Sequence, residues 1–238
     1  MGAQVTAINL IIQEKARKGF ILADCAYTDQ DGRVVEIGSK IVQGGGRFPW
    51  AFGVSGNVHT VTVGKELLSV GVASLKQLQK RLGPAMRRAI AATVQRYPDI
   101  ADPTCSVRGA AWCFASKRPI GFLMMSHPQT VINDPTLEPF VWYELEWQIT
   151  NGDHPDIGAI IDTDLTNPDL FDVRSSARAL ISAQRRTAMT PSDSWCGDTP
   201  QHRIGGNADL VTVSKHGVII EEVCSWPDAI GEMIRPHG

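Results

Sequence analysis

Four β-rich runs crowd into the first 56 residues, before any segment with helical periodicity begins. They are Thr6–Ile12, Phe20–Tyr27, Val34–Ile41 and Trp50–Val54. Between them lie the polar turn Glu14-Lys15-Ala16-Arg17-Lys18-Gly19, the dipeptide Asp31-Gly32 and the triple glycine Gly44-Gly45-Gly46. Two helical segments follow, Asn57 to about Val70 and Leu75 to Tyr97. Strands return at Val107–Ala115, Ile120–Ser126 and Phe140–Ile149. A second helical pair covers Pro155–Leu165 and the stretch from Asn167 to about Met189. Ala208–Val213 and Val218–Val223 then read as a hairpin around Lys215-His216-Gly217. The order is strands, two helices, strands, two helices, strands. Helices in two separate pairs can each cover one outer face of stacked sheets. This order therefore predicts an α+β chain folded as a four-layer α/β/β/α sandwich.

Local signals support individual elements. Ser74 with Gln77 has the form of a capping box, and Leu75, Leu78, Leu82, Met86, Ile90 and Val94 recur at helical spacing. Gly83-Pro84 is expected to kink or split that helix. From Phe140 to Ile149, Val141, Tyr143, Leu145 and Trp147 alternate with Trp142, Glu144, Glu146 and Gln148, the period-2 pattern of a half-buried strand. Asn167-Pro168-Asp169 reads as an N-cap followed by proline at the first helical position. Thr190 to Arg203 is an irregular stretch, and the tail beyond Trp226 is expected to be loosely structured. Without repeats or a linker, residues 1–238 are read as one domain.

Composition narrows the partners. A net charge of -2 favours neither nucleic acid nor an anionic membrane. The five cysteines are scattered with no CxxC pair, which suggests free thiols in a reducing compartment. No apolar run reaches the length of a membrane span and no secretory leader is present, so the expected location is cytoplasmic. Met1-Gly2-Ala3-Gln4-Val5-Thr6 does fit the myristoylation pattern. That pattern is short enough to arise by chance, and no polybasic second signal lies nearby.

The chemistry-bearing residues gather in the opening strands. Phe20–Tyr27 carries Ala23-Asp24, Val34–Ile41 carries Lys40, and Trp50–Val54 runs into Ser55-Gly56-Asn57. With Thr6 opening the first run, these occur in the order of the proteasome-type N-terminal-nucleophile (Ntn) hydrolases. The chain resembles proteasome β-subunits and the peptidase of the bacterial proteasome-like ATP-dependent protease, and the resemblance covers most of its length. It implies an Ntn-hydrolase fold and a threonine peptidase acting on a peptide or protein substrate without a cofactor or metal. Thr6 would be the nucleophile once Met1–Val5 is removed as a propeptide, with its own α-amino group as base. Lys40 would be its electrostatic partner, Asp24 the counter-ion of Lys40, and the Gly56 amide an oxyanion donor. By the same resemblance the chain would form a ring-like homo-oligomer.

Three departures from the family pattern bear on activity. Val5 stands where the family has glycine before the nucleophile. Thr150-Asn151-Gly152 stands for Gly-Ser-Gly, and Gln201-His202-Arg203-Ile204-Gly205-Gly206 for Asp-x-x-Ser-Gly-Gly. The lost serine and aspartate normally bond the nucleophile's amine. The alternative expectation is therefore a catalytically silent subunit with a structural or assembly role. Plainer readings exist for each residue: Thr6 as a strand residue, Asp24 and Lys40 as a structural ion pair, and Gly56 as a tight turn. Cys25 is read as a buried structural thiol and His154 with Asp153 and Asp156 as a solvated loop. Gly205-Gly206 lies before a strand rather than between strand and helix, so it is not a phosphate loop.

Overall fold

The computed structural model describes residues 7–29, 31–44, 46–100, 103–128, 137–150, 155–161, 167–188 and 200–237. The first hairpin joins β1 (Ile8–Gln13) to β2 (Lys18–Asp24), in register from Ile8 opposite Ala23 to Gln13 opposite Lys18. Every residue of β1 is buried, so Ile8, Leu10, Ile11 and Ile12 do not alternate with exposed positions. The two polar residues are satisfied internally, Asn9 by Leu22 O and Gln184 and Gln13 by Pro168 O and Phe171 O. Its two faces enter different apolar clusters. Ile8, Leu10 and Ile12 meet Ile21, Ala23, Ala51, Ala110, Val211 and Val213. Ile11, with Phe20 and Leu22, meets Ile157, Phe171, Val173, Leu180 and Ile181.

A short pair, β3 (Ala26–Thr28) and β4 (Val34–Ile37), follows β2. Next come β5 (Ile41–Gln43) and β6 (Trp50–Gly56), then α1 (Thr60–Ser69) and α2 (Leu75–Arg96). Strands β7 (Cys105–Cys113), β8 (Arg118–Met125), β9 (Tyr143–Leu145) and β10 (Trp147–Gln148) follow. The chain continues through α3 (Pro155–Ile161) and α4 (Val173–Arg186) to β11 (Asn207–Ser214) and β12 (Gly217–Ser225). Two five-stranded sheets result, ordered β10-β1-β2-β11-β12 and β5-β6-β7-β8-β9, so the fold is α+β. Phe52, Val54, Val107, Phe122 and Met124 of the second sheet pack against Val63 and Leu67 of α1 and Leu78, Leu82 and Met86 of α2. The sheets approach closely at Gly19, where a Cβ would stand 2.7 Å from Ala110 Cβ, at Gly121, 2.7 Å from Ile12 Cγ1, and at Gly53, 2.9 Å from Ile8 Cδ1. Among the described residues, no helix is long and apolar enough to cross a membrane.

Several elements depart from the expected pattern. The run Phe20–Tyr27 breaks at Cys25, whose N–H is shared between Gly205 O (3.2 Å) and Asn207 O (2.8 Å), and β3 leaves to pair with β4. Lys40 lies in the connection between β4 and β5, not on a continuous strand. The alternating run at Phe140–Ile149 is two strands in different sheets: β9 pairs with β8, and β10 pairs with β1. Helix α2 runs unbroken through Gly83-Pro84. An interior proline costs about 3 kcal/mol, and the buried stripe Leu78, Leu82, Met86, Ala89 and Thr93 offsets it. The Ser74 cap accepts from Gln77 N, while Gln77 Oε1 accepts from Ala73 N at 2.9 Å.

The last helix also starts later than Asn167. Asn167 makes no capping bond and Pro168–Leu170 forms only a 3-10 turn. Asp172 caps α4 instead, its carboxylate accepting from Ser175 N at 3.3 Å. Residues 162–166 and 189–199 lie outside the described part, as do Asp153 and His154.

The tail expected to be loose carries no regular element, yet it is tied down. Asp228 forms a buried bidentate ion pair with Arg185, at 2.7 Å on each guanidinium nitrogen. Arg235 O accepts from Arg185 Nη2, Glu232 O accepts from Val34 N, and Ile234 is buried. Asp228→Ala leaves the Arg185 charge buried without a counter-ion, so a loss of about 3–5 kcal/mol is expected in urea denaturation. A loss below about 1 kcal/mol would show that the tail adds little.

Candidate functional site

Asp24 ends β2 where the chain turns out of the sheet, and that break points its carboxylate into a ring of donors. Lys40 Nζ lies 3.1 Å from Oδ1 and 2.9 Å from Oδ2. Ala7 N donates to Oδ1 at 3.1 Å, while Ala26 N and Gly205 N donate to Oδ2 at 3.3 Å each. Asp24 is 0% exposed and Lys40 1%. Burial pushes the Asp24 carboxyl above its ordinary range, and the Lys40 charge and the amides of Gly205 and Ala7 oppose that rise. The arrangement is a desolvated ion pair whose carboxylate is satisfied by backbone amides from β3, from the β11 approach and from the start of β1.

Tyr27 extends this cluster outward. The Lys40 ammonium sits 5.2 Å from the centroid of its ring. His59 stacks on Tyr27 at 4.3 Å and 12°. Burial raises the Tyr27 phenol well above its usual value. His59 Nε2 lies 3.4 Å from Glu36 Oε2.

Gly56 is the last residue of β6, paired with Cys105, and not part of a separate turn. Its φ is +111°, and a Cβ there would stand 2.3 Å from Thr104 O. Only glycine fits this backbone. Among the described residues it shares no hydrogen bond with Asp24 or Lys40. Next to it is a polar group that the sequence reading missed. Ser55 Oγ is 2.7 Å from Ser106 Oγ, and Arg108 donates from Nη1 to Ser55 Oγ (3.0 Å) and from Nε to Gln148 Oε1 (2.7 Å). Desolvation lowers the Arg108 pKa to about 10, and no carboxylate pairs with it among the described residues. The available signal was a lone arginine inside the apolar run Val107-Arg108-Gly109-Ala110-Ala111-Trp112.

Thr6 lies outside the described residues, which begin at Ala7. Of the segments set against the family's amine-binding residues, Thr150 bonds the backbone of Ile8 and donates its N–H to Asn9 Oδ1. Asn9 and Gln184 exchange side-chain bonds at 3.0 and 2.7 Å. Arg203 is fully buried and donates to Thr28 Oγ1, Asp29 O and Gln201 Oε1. Ile204 is buried and apolar.

Cys25 is buried, with its Sγ 3.5 Å from Asp209 Oδ2. Burial and the charges of Asp209 and Asp24 hold it as a thiol. His202 Nδ1 lies 3.1 Å from Arg185 O, and His216 sits in the exposed β11–β12 turn. Among the described residues no group of three or more His, Cys, Asp and Glu could hold a metal ion.

No protein-family model matches this chain, and no curated protein matches it.

Two outcomes test the site's physics. Lys40→Met strands the Asp24 charge and should lower stability by about 3–5 kcal/mol in urea denaturation. Adding Asp24→Asn should restore part of that loss, because it removes the uncompensated charge. Burial pushes the Cys105 thiol, opposite Gly56, up to about 12. Unfolded thiols release the proton near pH 8.5 while the folded one retains it, so stability falls as pH rises from about 9 toward 12. Cys105→Ala should make that fall shallower by about 1.4 kcal/mol per pH unit in denaturation series between pH 8 and 11.

Proposed function

We propose that this chain is a proteasome-like Ntn hydrolase that cleaves amide bonds in peptides with an N-terminal threonine. The observation that carries the reading is the buried Asp24–Lys40 pair, whose carboxylate also binds the amide of Ala7, the residue after Thr6. A carboxylate and an ammonium withdrawn from water beside the first residues of a buried strand suit a nucleophile formed at that strand's start. The three apolar clusters support a four-layer α/β/β/α sandwich: α1 and α2 on one sheet, α3 and α4 on the other, and Ile8, Leu10, Ala51 and Ala110 between the sheets.

In this reading Met1–Val5 is removed and the freed α-amine of Thr6 takes the proton of its own hydroxyl, whose oxygen attacks the scissile carbonyl. The Lys40 charge, oriented by Asp24, favours the neutral amine and stabilises the negative charge that develops. The Gly56 amide is the oxyanion donor. The α-ammonium passes that proton to the scissile nitrogen as the intermediate collapses, so the amine half leaves neutral and an ester remains on Thr6 Oγ. Water, giving its proton to the same α-amine, hydrolyses that ester. The protein acts in the cytoplasm as a ring-like homo-oligomer assembled through its outer helices.

A second reading keeps the fold and drops the chemistry. Ile204 is apolar and Arg203 is committed to holding the Thr28–Asp29 turn, at the segment where the family has its amine-binding acid and serine. A silent structural subunit would show this pattern.

Intact mass of the purified protein separates the two readings. Loss of Met1–Val5 and hydrolysis of fluorogenic peptides, abolished by Thr6→Ala, is the outcome expected of the enzyme. A full-length chain, or a Thr6→Ala variant with undiminished hydrolysis, would sink the threonine mechanism.

A further inference from the structure

Between the first turn of α1 and the last turn of α2 lies a cavity of about 470 Å3, lined in part by His59, the ring that stacks on Tyr27. Its volume falls in the range of sites that hold small ligands. Asn57 lines it, is 6% exposed, and has no hydrogen-bond partner on either amide atom. A buried carboxamide with neither bond made is uncommon and points to a missing partner. The rim is cationic: Lys65 and Arg96 both line the cavity, and neither takes part in a salt bridge among the described residues. Among the described residues, Glu36 is the only acid on the rim, and it faces His59. His59 is the N-cap of α1 and makes no side-chain capping bond, so the first amides of that helix add partial positive charge to the same space.

We propose that this cavity receives an acidic side chain of a bound peptide, with Lys65, Arg96 and the start of α1 holding the carboxylate and the Asn57 carboxamide, whose two polar atoms have almost no solvent-accessible surface, turning outward to pair with a peptide unit. A side-chain carboxamide offers one donor and one acceptor, the complement of a backbone amide. The assignment to a peptide substrate rests on the hydrolase reading, because the cavity adjoins the Asp24–Lys40 pair through two aromatic rings. The carboxylate requirement rests on the cavity alone.

Isothermal titration calorimetry on the full chain tests the proposal with acetyl-Ala-Ala-Glu-amide and acetyl-Ala-Ala-Gln-amide as probes. The Glu peptide should bind about tenfold tighter than the Gln peptide. Lys65→Glu with Arg96→Glu, both exposed positions where refolding is not at stake, should erase the difference. Asn57→Leu should weaken both peptides by a similar factor, and an unchanged melting temperature would show that the fold is kept. Equal binding of the two peptides, no binding of the Glu peptide, or a preference that survives the double charge reversal would overturn the proposal. A Glu preference in a chain that cleaves nothing supports the cavity and counts against the hydrolase reading alone. Cleavage with no preference between Glu and Gln overturns the cavity proposal and leaves the hydrolase reading standing.

Discussion

One carboxylate organises this end of the molecule. Asp24 accepts from Lys40, Ala7, Ala26 and Gly205, so the start of β1, the break after β2, the β4–β5 connection and the approach to β11 meet on two oxygen atoms. Removing a carboxylate and an ammonium from water is expensive, and their mutual attraction offsets this only when the remaining hydrogen-bonding capacity is filled. Three backbone amides fill it here. That requirement explains the local geometry: β2 must stop at Asp24 so that the Ala26 amide can turn back to the side chain two residues before it. The same break lets Cys25 bond Gly205 and Asn207.

A second constraint is the closeness of the two sheets. Ile8, Leu10 and Ile12 project from β1 into the space between them, and the facing positions are small: Ala51, Gly53 and Ala110. Small residues opposite large ones let the layers interdigitate at interior density. The same face of β6 and β7 continues past Gly53 and Ala110 to Ser55, Ser106 and Arg108, where apolar packing gives way to hydrogen bonds. The polar end of the inter-sheet space therefore lies beside Gly56, the one residue of β6 whose backbone excludes a side chain.

Much of the secondary structure was legible because burial on two faces leaves long apolar runs, and because the Ser74 cap and the α2 stripe are local signals. Asp24 and Lys40 could be singled out for a similar reason: each is a charge beside a buried run. Their direct contact could not be read, since sixteen positions and the β3–β4 hairpin separate them. The alternation at Phe140–Ile149 cannot reveal two strands in different sheets, because alternation records exposure and not sheet membership. The role of Arg108 is not legible locally, because its partners, Ser55 and Gln148, come from distant segments. The tail was read as loose because the Arg185–Asp228 pair spans 43 positions and leaves no periodic trace.

What the sequence determined by itself was the order of strands and helices, the apolar faces, and the presence of an acid, a lysine and a glycine in the opening strands. Those depend on spacing within a few residues, where periodicity and propensity act. Tertiary structure alone decided that the acid and lysine share a buried contact, and that the Ala7 amide joins them. It also decided that an unpaired Asn57 would line a cavity rimmed by Lys65 and Arg96. Desolvation is the physical reason. The strength of a charge or an amide depends on what surrounds it in three dimensions, and neighbours drawn from β1, β2, α1 and α2 are not neighbours along the chain.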